Sequence, residues 1–208
     1  MKNKSIKQVT GTAVPVQGND IDTDRIIPAR HLRSITFEGL GQYAFEDDRK
    51  QADGKHPFDE PQYSDASILL VNRNFGSGSS REHAPQALMR WGINAIIGES
   101  FGEIFFGNST TIGIPCLTVK EQEAQFLQES IRSDSSQSIN IDLDKQLINL
   151  GLHTIEFQLI ESVRQSFLSG EWDSLGQLLE ASQDTQKVYE GLPYIAGFTH
   201  LFKEHSTD

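Results

Sequence analysis

Three short apolar runs, "ASILLVNRNF", "INAIIGES" and "IGIPCLTV", are separated by stretches of helical character, and that alternation limits what this chain can become. A continuous apolar run of strand length suits a strand buried on both faces, whereas a half-buried strand alternates. Between the first two runs Ala84, Ala87, Leu88 and Trp91 fall at i, i+3, i+4 and i+7, one face of a helix, with Arg90 in its last turn and Gly92 as its stop. "FGEIFFGN" predicts a short helical turn and Glu121 to Arg132 a further helix. Strands alternating with helices imply βαβ units with right-handed crossovers, so this half of the chain is α/β.

The flanks are read from turn chemistry. Val9 to Val16 is the expected opening strand, followed by a turn at Gly18-Asn19-Asp20. Residues 33–62 are rich in Gly, Asp and Lys with scattered aromatics, and are expected to form a long substrate-side loop with one short helix. After the polar stretch "SDSSQS", the segments "INIDLDKQLINLG" and "HTIEFQL" predict short strands joined by Asp- and Gly-containing turns. A last helical region from Glu161 to Ala181 is interrupted by "SGEW", and residues 200–208 are expected to fray. With 208 residues, the expectation is a single domain over 1–208 with one long excursion.

Composition removes several classes of function. No apolar run approaches the roughly 18 residues of a membrane span, and the N-terminal segment lacks the apolar region of a secretory signal, so a cytoplasmic location without membrane contact is expected. Eighteen basic against 29 acidic residues give a net charge of −11, which argues against a nucleic-acid partner. The chain has one cysteine, Cys116, so it cannot form an intrachain disulfide or supply the thiolates of a zinc site or iron–sulfur cluster alone.

The chemistry concentrates at "NFGSGSSREHAP", where the first apolar run delivers the chain to a helix. Ser79-Ser80-Arg81-Glu82 fits a capping box, in which Ser79 only satisfies a backbone N–H. Pro85 argues for a helix that starts a few residues later, because a proline past the first turn removes a helical hydrogen bond. The two serines then lie on the loop, where unpaired N–H groups and the helix dipole favour negative charge. Gly76 and Gly78 allow close backbone approach, and Arg81 offers a planar fork matched to a carboxylate. The stretch lacks the residues of a Walker A loop, a dinucleotide fingerprint or a hydrolase elbow. His83 reads as a helix-surface or core histidine.

A second cluster is "NDIDTDRIIP". Asp20, Asp22 and Asp24 resemble the start of an EF-hand, but Arg25 stands where the glycine is required and His31 where the last glutamate belongs, which argues against calcium, and no metal ligand is assigned. Asp24 is either part of a turn and N-cap or an orienting carboxylate beside a cationic or hydroxylic partner.

Taken in order and at these separations, "DIDTDRIIPARHL", "NFGSGSSREHAP" and "SFGEIFFGNSTTIGIP" resemble the small-subunit family of 3-isopropylmalate dehydratases, the swivelling C-terminal domain of the aconitase superfamily, from about Ile6 to Pro193. The resemblance implies a three-layer β/β/α fold with a mostly parallel mixed sheet and small C-terminal strand and helix additions. It implies a hydro-lyase of two subunits, inactive as this chain alone, acting on a small hydroxydicarboxylate in leucine biosynthesis. The large-subunit partner would hold a 4Fe-4S cluster acting as Lewis acid on the departing hydroxyl, and this chain would bind no cofactor. Carried over residue by residue, Ser79 is the base, Asp24 the aspartate of the "TD" pair, Ser80 a hydrogen-bonding neighbour, Arg81 the carboxylate binder and Asn108 the asparagine of "GNS". Many bacterial members carry cysteine where Ser77 stands. Substrate choice falls to the segment after "IIP", where Leu32, Ile35 and Leu40 are candidates to line an isopropyl pocket and Arg33 to meet an extra carboxylate. Homoaconitase and methylmalate (citraconate) hydratase subunits, and a non-catalytic acid-binding module, are the alternatives.

Overall fold

The computed structural model describes residues 5–33 and 36–173. The chain divides into a unit ending at Trp172 and a second beginning at Asp173, of which all but Asp173 lies outside the described residues, as do the expected helix beyond residue 173 and the 200–208 tail. In chain order the elements are β1 (Gln8–Gly11), β2 (Ala13–Pro15), α1 (Thr23–Ile26), α2 (Glu46–Gln51), β3 (Ile68–Leu70), α3 (His83–Trp91), β4 (Ala95–Gly98), α4 (Glu103–Thr111), β5 (Cys116–Thr118), α5 (Glu121–Ser133), β6 (Ile139–Asp142), β7 (Leu147–Leu150), β8 (His153–Glu156) and α6 (Glu161–Ser169).

The apolar runs become a parallel sheet in the order β2-β3-β4-β5, with Val14, Leu69, Ile96 and Cys116 in one register row. All but Thr118 of its strand residues are buried, the consequence of layers on both faces. The expected mixed sheet resolves into two. Strands β6, β7 and β8 join β1 in a separate antiparallel sheet, ordered β1-β6-β7-β8. The expected opening strand at Val9 to Val16 is correspondingly divided, because β1 pairs with β6 and β2 with β3. Gly11 sits at the division, where a Cβ would come within 1.9 Å of Ser67 Oγ.

Residues 36–63, expected as a long loop with one short helix, carry that helix, α2, inside a built strap. Leu40–Tyr43, Pro57–Asp59 and Pro61–Tyr63 form 3-10 turns around α2, and Leu40, Ala44, Phe45, Phe58 and Tyr63 enter the core. The strap clamps α3. Phe58 packs on Trp91 at 4.1 Å between ring centroids, and Gly41 lies so near the backbone of Arg90 and Trp91 that a Cβ would sit 2.5 Å from it. Aromatics spaced through a polar segment were the sequence sign of this. No helix among the described residues is long and apolar enough to cross a membrane.

Candidate functional site

Helix α3 starts at His83, which places Pro85 in its first turn, and Glu82 before it makes no side-chain capping bond. The capping box is therefore not formed, and Ser79 and Ser80 stand exposed on the loop ahead of the helix. That loop is held from both sides by backbone. Gly76 N–H donates to Ile21 C=O at 2.7 Å and Thr23 N–H to Ser77 C=O at 2.9 Å, while on the other flank Phe75 N–H donates to Ser100 C=O and Gly102 N–H to Phe75 C=O at 2.8 Å. Asp22 pairs with Ser77, and Phe75 with Phe101, as single parallel bridges.

Gly76 adopts φ 74° with Phe105 beneath it, 2.2 Å from where a Cβ would lie, and a Cβ on Gly102 would lie 2.5 Å from the Gly76 carbonyl. Only glycines permit this approach. Thr23, which was not singled out in the sequence, adds a side-chain tie: it is 2 % exposed and its hydroxyl donates to the Ser79 carbonyl at 2.9 Å. Its signal was its place inside the "DTD" triplet.

Asp22 accepts the Arg25 N–H at 2.9 Å as N-cap of α1, which leaves Asp24 on the helix surface. Arg81, 13 % exposed, closes both terminal nitrogens on the Asp24 carboxylate, one of them at 2.7 Å. The structure thus brings Asp24, Ser79 and Arg81 together. His83, next in the chain, stands edge-on to Phe37 at 5.0 Å, and its Nε2 is buried without a hydrogen-bond partner among the described residues.

The remaining candidates come from other elements. Asn108 lies in the second half of α4, half-buried. Leu32 is half-buried and Arg33 exposed, on the 3-10 turn Ala29–Arg33. Ile35 lies outside the described residues. Leu40 is corrected: at 2 % exposure it belongs to the core, where its turn packs against α3 rather than lining a pocket.

Beside this turn the strap carries an ion-pair network the sequence did not suggest. Glu46 receives Lys50 and His31 at 2.5 Å each and Arg30 at 2.5 Å, while Arg30 also grips Asp47 at 2.6 Å. His31 stacks on Tyr43 with centroids 4.0 Å apart. The Lys50 hydrogen bond first, then those from His31 and Arg30, holds the Glu46 carboxyl down at about 2.

Cys116 is buried in β5, and burial pushes its thiol up to about 12. A thiol that resists ionisation does not fit a cluster ligand. Among the described residues, no three His, Cys, Asp or Glu side chains gather as a metal site.

A parallel sheet whose strand-end loops present two serines and a carboxylate-paired arginine ahead of a helix defines an α/β domain of the aconitase C-terminal class. The model of the aconitase C-terminal domain matches residues 3–122. A 3-isopropylmalate dehydratase small subunit from Synechocystis is 50% identical over 190 residues, covering 91% of this chain and 95% of that protein. Another, from Thermus thermophilus, is 48% identical over 189 residues, 89% of this chain and 94% of that one. A solved 3-isopropylmalate dehydratase structure from Methanocaldococcus jannaschii has the same fold, with a TM-score of 0.63 at 24% identity over 85% of this chain and 99% of that chain. The chain belongs to the aconitase C-terminal domain family, in its branch of 3-isopropylmalate dehydratase small subunits.

Proposed function

We propose that this chain is the small subunit of a 3-isopropylmalate dehydratase, which with a large subunit interconverts 2-isopropylmalate and 3-isopropylmalate through 2-isopropylmaleate in leucine biosynthesis. The observation that carries the reading is the loop at 74–81. It is held by backbone bonds to residues 21–23 and 100–102 and presents the exposed Ser79 beside the Asp24–Arg81 pair. Ser79 takes the proton from the carbon next to a substrate carboxylate. A serine is a poor base unless donors stabilise its alkoxide, and the start of α3 with Arg81 provides positive potential at this loop. Arg81 binds the carboxylate through the N–H groups that its pairing with Asp24 leaves free, and Asp24 holds the guanidinium plane in place. Ser80 hydrogen-bonds the substrate beside Ser79, and Asn108 reaches it from α4.

The 4Fe-4S cluster of this superfamily belongs on the large subunit in this reading, since the one thiol here does not fit it. Every step assigned to this chain is proton transfer, carboxylate binding or shape selection. Leu32 faces the isopropyl group and Arg33 stays in solvent or meets a partner carboxylate, a placement that its exposure supports. Burying an isopropyl group is worth roughly 1.5–3 kcal/mol, whereas a third carboxylate requires a cation. The test is to reconstitute the pair and assay isopropylmalate, homocitrate-type and methylmalate substrates, with and without Arg33→Ala. Preference for isopropylmalate that survives Arg33→Ala is expected. Preference for a tricarboxylate that disappears in Arg33→Ala overturns the assignment, as does preference for methylmalate.

A further inference from the structure

A cleft of about 490 Å³ opens beside α1, and none of the residues lining it belongs to the 74–81 loop. Its walls come from the end of β2, from Arg25, from the strap and from Arg132 of α5. His56, 7 % exposed, is the telling residue. Its Nδ1 accepts the Phe58 N–H at 3.2 Å, so that nitrogen carries no proton in the neutral ring and Nε2–H becomes a donor. Burial lowers the His56 pKa and keeps the ring neutral. The only hydrogen bond of the ring among the described residues is the one at Nδ1, and the side chain lines the cleft, which leaves Nε2–H for a ligand.

The charges around it are unevenly used. Arg25 is taken by Asp48 at 2.8 Å. Arg132 reaches the Gln17 side-chain oxygen at 3.0 Å, and neither it nor Lys55 is in an ion pair among the described residues. Tyr63 is 3 % exposed, and burial with the nearby Glu60 raises its pKa, so it remains a phenol able to donate. Three cations (Arg25, Lys55, Arg132) face two carboxylates (Asp48, Glu60), an excess of one positive charge.

We propose that this cleft binds a small aliphatic monocarboxylate, its carboxylate held by Arg132, Lys55 and the His56 Nε2–H, and its carbon chain against Pro15, Val16 and Pro57. A single negative charge matches the excess, whereas a dianion meets repulsion from Glu60 and Asp48. The apolar wall has nothing to offer an inorganic ion.

The experiment titrates the full chain, with labelled imidazole nitrogens, using butyrate and separately inorganic phosphate. A saturable shift of the His56 Nε2 resonance with butyrate is expected, with weaker binding of phosphate. Arg132→Gln should weaken butyrate binding about tenfold or more, the loss of one charge-assisted hydrogen bond, and Arg81→Gln should leave it unchanged. Lys55→Gln, on an exposed turn, repeats the measurement free of any disturbance to the Arg132 contacts with Gln17 and Gln128. The proposal is overturned by an unmoved His56, by binding indifferent to both cleft variants, by binding lost in Arg81→Gln, or by phosphate binding as tightly as butyrate.

Discussion

Arg81 and Asp24, 57 positions apart in the chain, meet fork to fork in a bidentate ion pair at the edge of the serine loop. Arg81 is largely covered while Asp24 is about half exposed. The arginine is thereby aligned before any substrate arrives, with its remaining N–H groups left for a carboxylate of the ligand.

An exposed pair of this kind contributes only about 0–1 kcal/mol to folding, so its loss should register in function. Asp24→Ala is expected to leave the denaturation midpoint nearly unchanged and to lower kcat/KM of the reconstituted enzyme by about tenfold or more, the effect of a misaligned binding group. Arg81→Lys should raise KM, because an ammonium cannot reproduce the bidentate contact. An Asp24→Ala enzyme with normal kcat/KM would show that the pair is only a surface contact.

Ser79→Ala removes an exposed hydroxyl whose loss disturbs no packing. Turnover should fall by about 10²–10⁴, with assembly and the circular dichroism spectrum unchanged. Near-normal kcat in this variant would remove Ser79 from the role of base.

Gly76 is clamped between a left-handed backbone and the Phe105 ring. Gly76→Ala should destabilise the chain by about 1–3 kcal/mol, read as a lower midpoint in urea. Activity should fall as well, since the same residue sets the path of the loop. Unchanged stability would mean that Phe105 yields freely.

The strap should loosen in acid. Glu46 has a folded pKa of about 2 against an ordinary 4.5. A depressed carboxyl stabilises fully above its unfolded value, and the contribution is lost as pH falls through the folded one. Protection of the amides in residues 46–52 against exchange, relative to the intrinsic rate at each pH, should therefore fall between about 4.5 and about 2, and Glu46→Gln should abolish that transition. A Glu46 carboxyl resonance titrating near 4.5 would contradict the network.

The sequence by itself determined the parallel α/β half, because uninterrupted apolar runs and a 3.6-residue period are local properties that the burial of a sheet between two layers makes obligatory. It also set the start of α3, since Pro85 is tolerated only in a first turn, and its end at Gly92. The serines and Arg81 were legible as one dense motif for the same reason. What only the tertiary structure decided lies in relations between distant segments. The division of Val9–Val16 follows from β1 finding β6, more than a hundred residues on. Leu40 and Phe45 were drawn into the core by α3 and Ile26, which no periodicity within 33–62 announces. Thr23 meets the Ser79 carbonyl, and Asp24 meets Arg81, only because β2 and β3 lie side by side and deliver their following loops to the same end of the sheet. Strand order sets such encounters, and strand order is fixed by the packing of the whole core rather than by any stretch of residues within it.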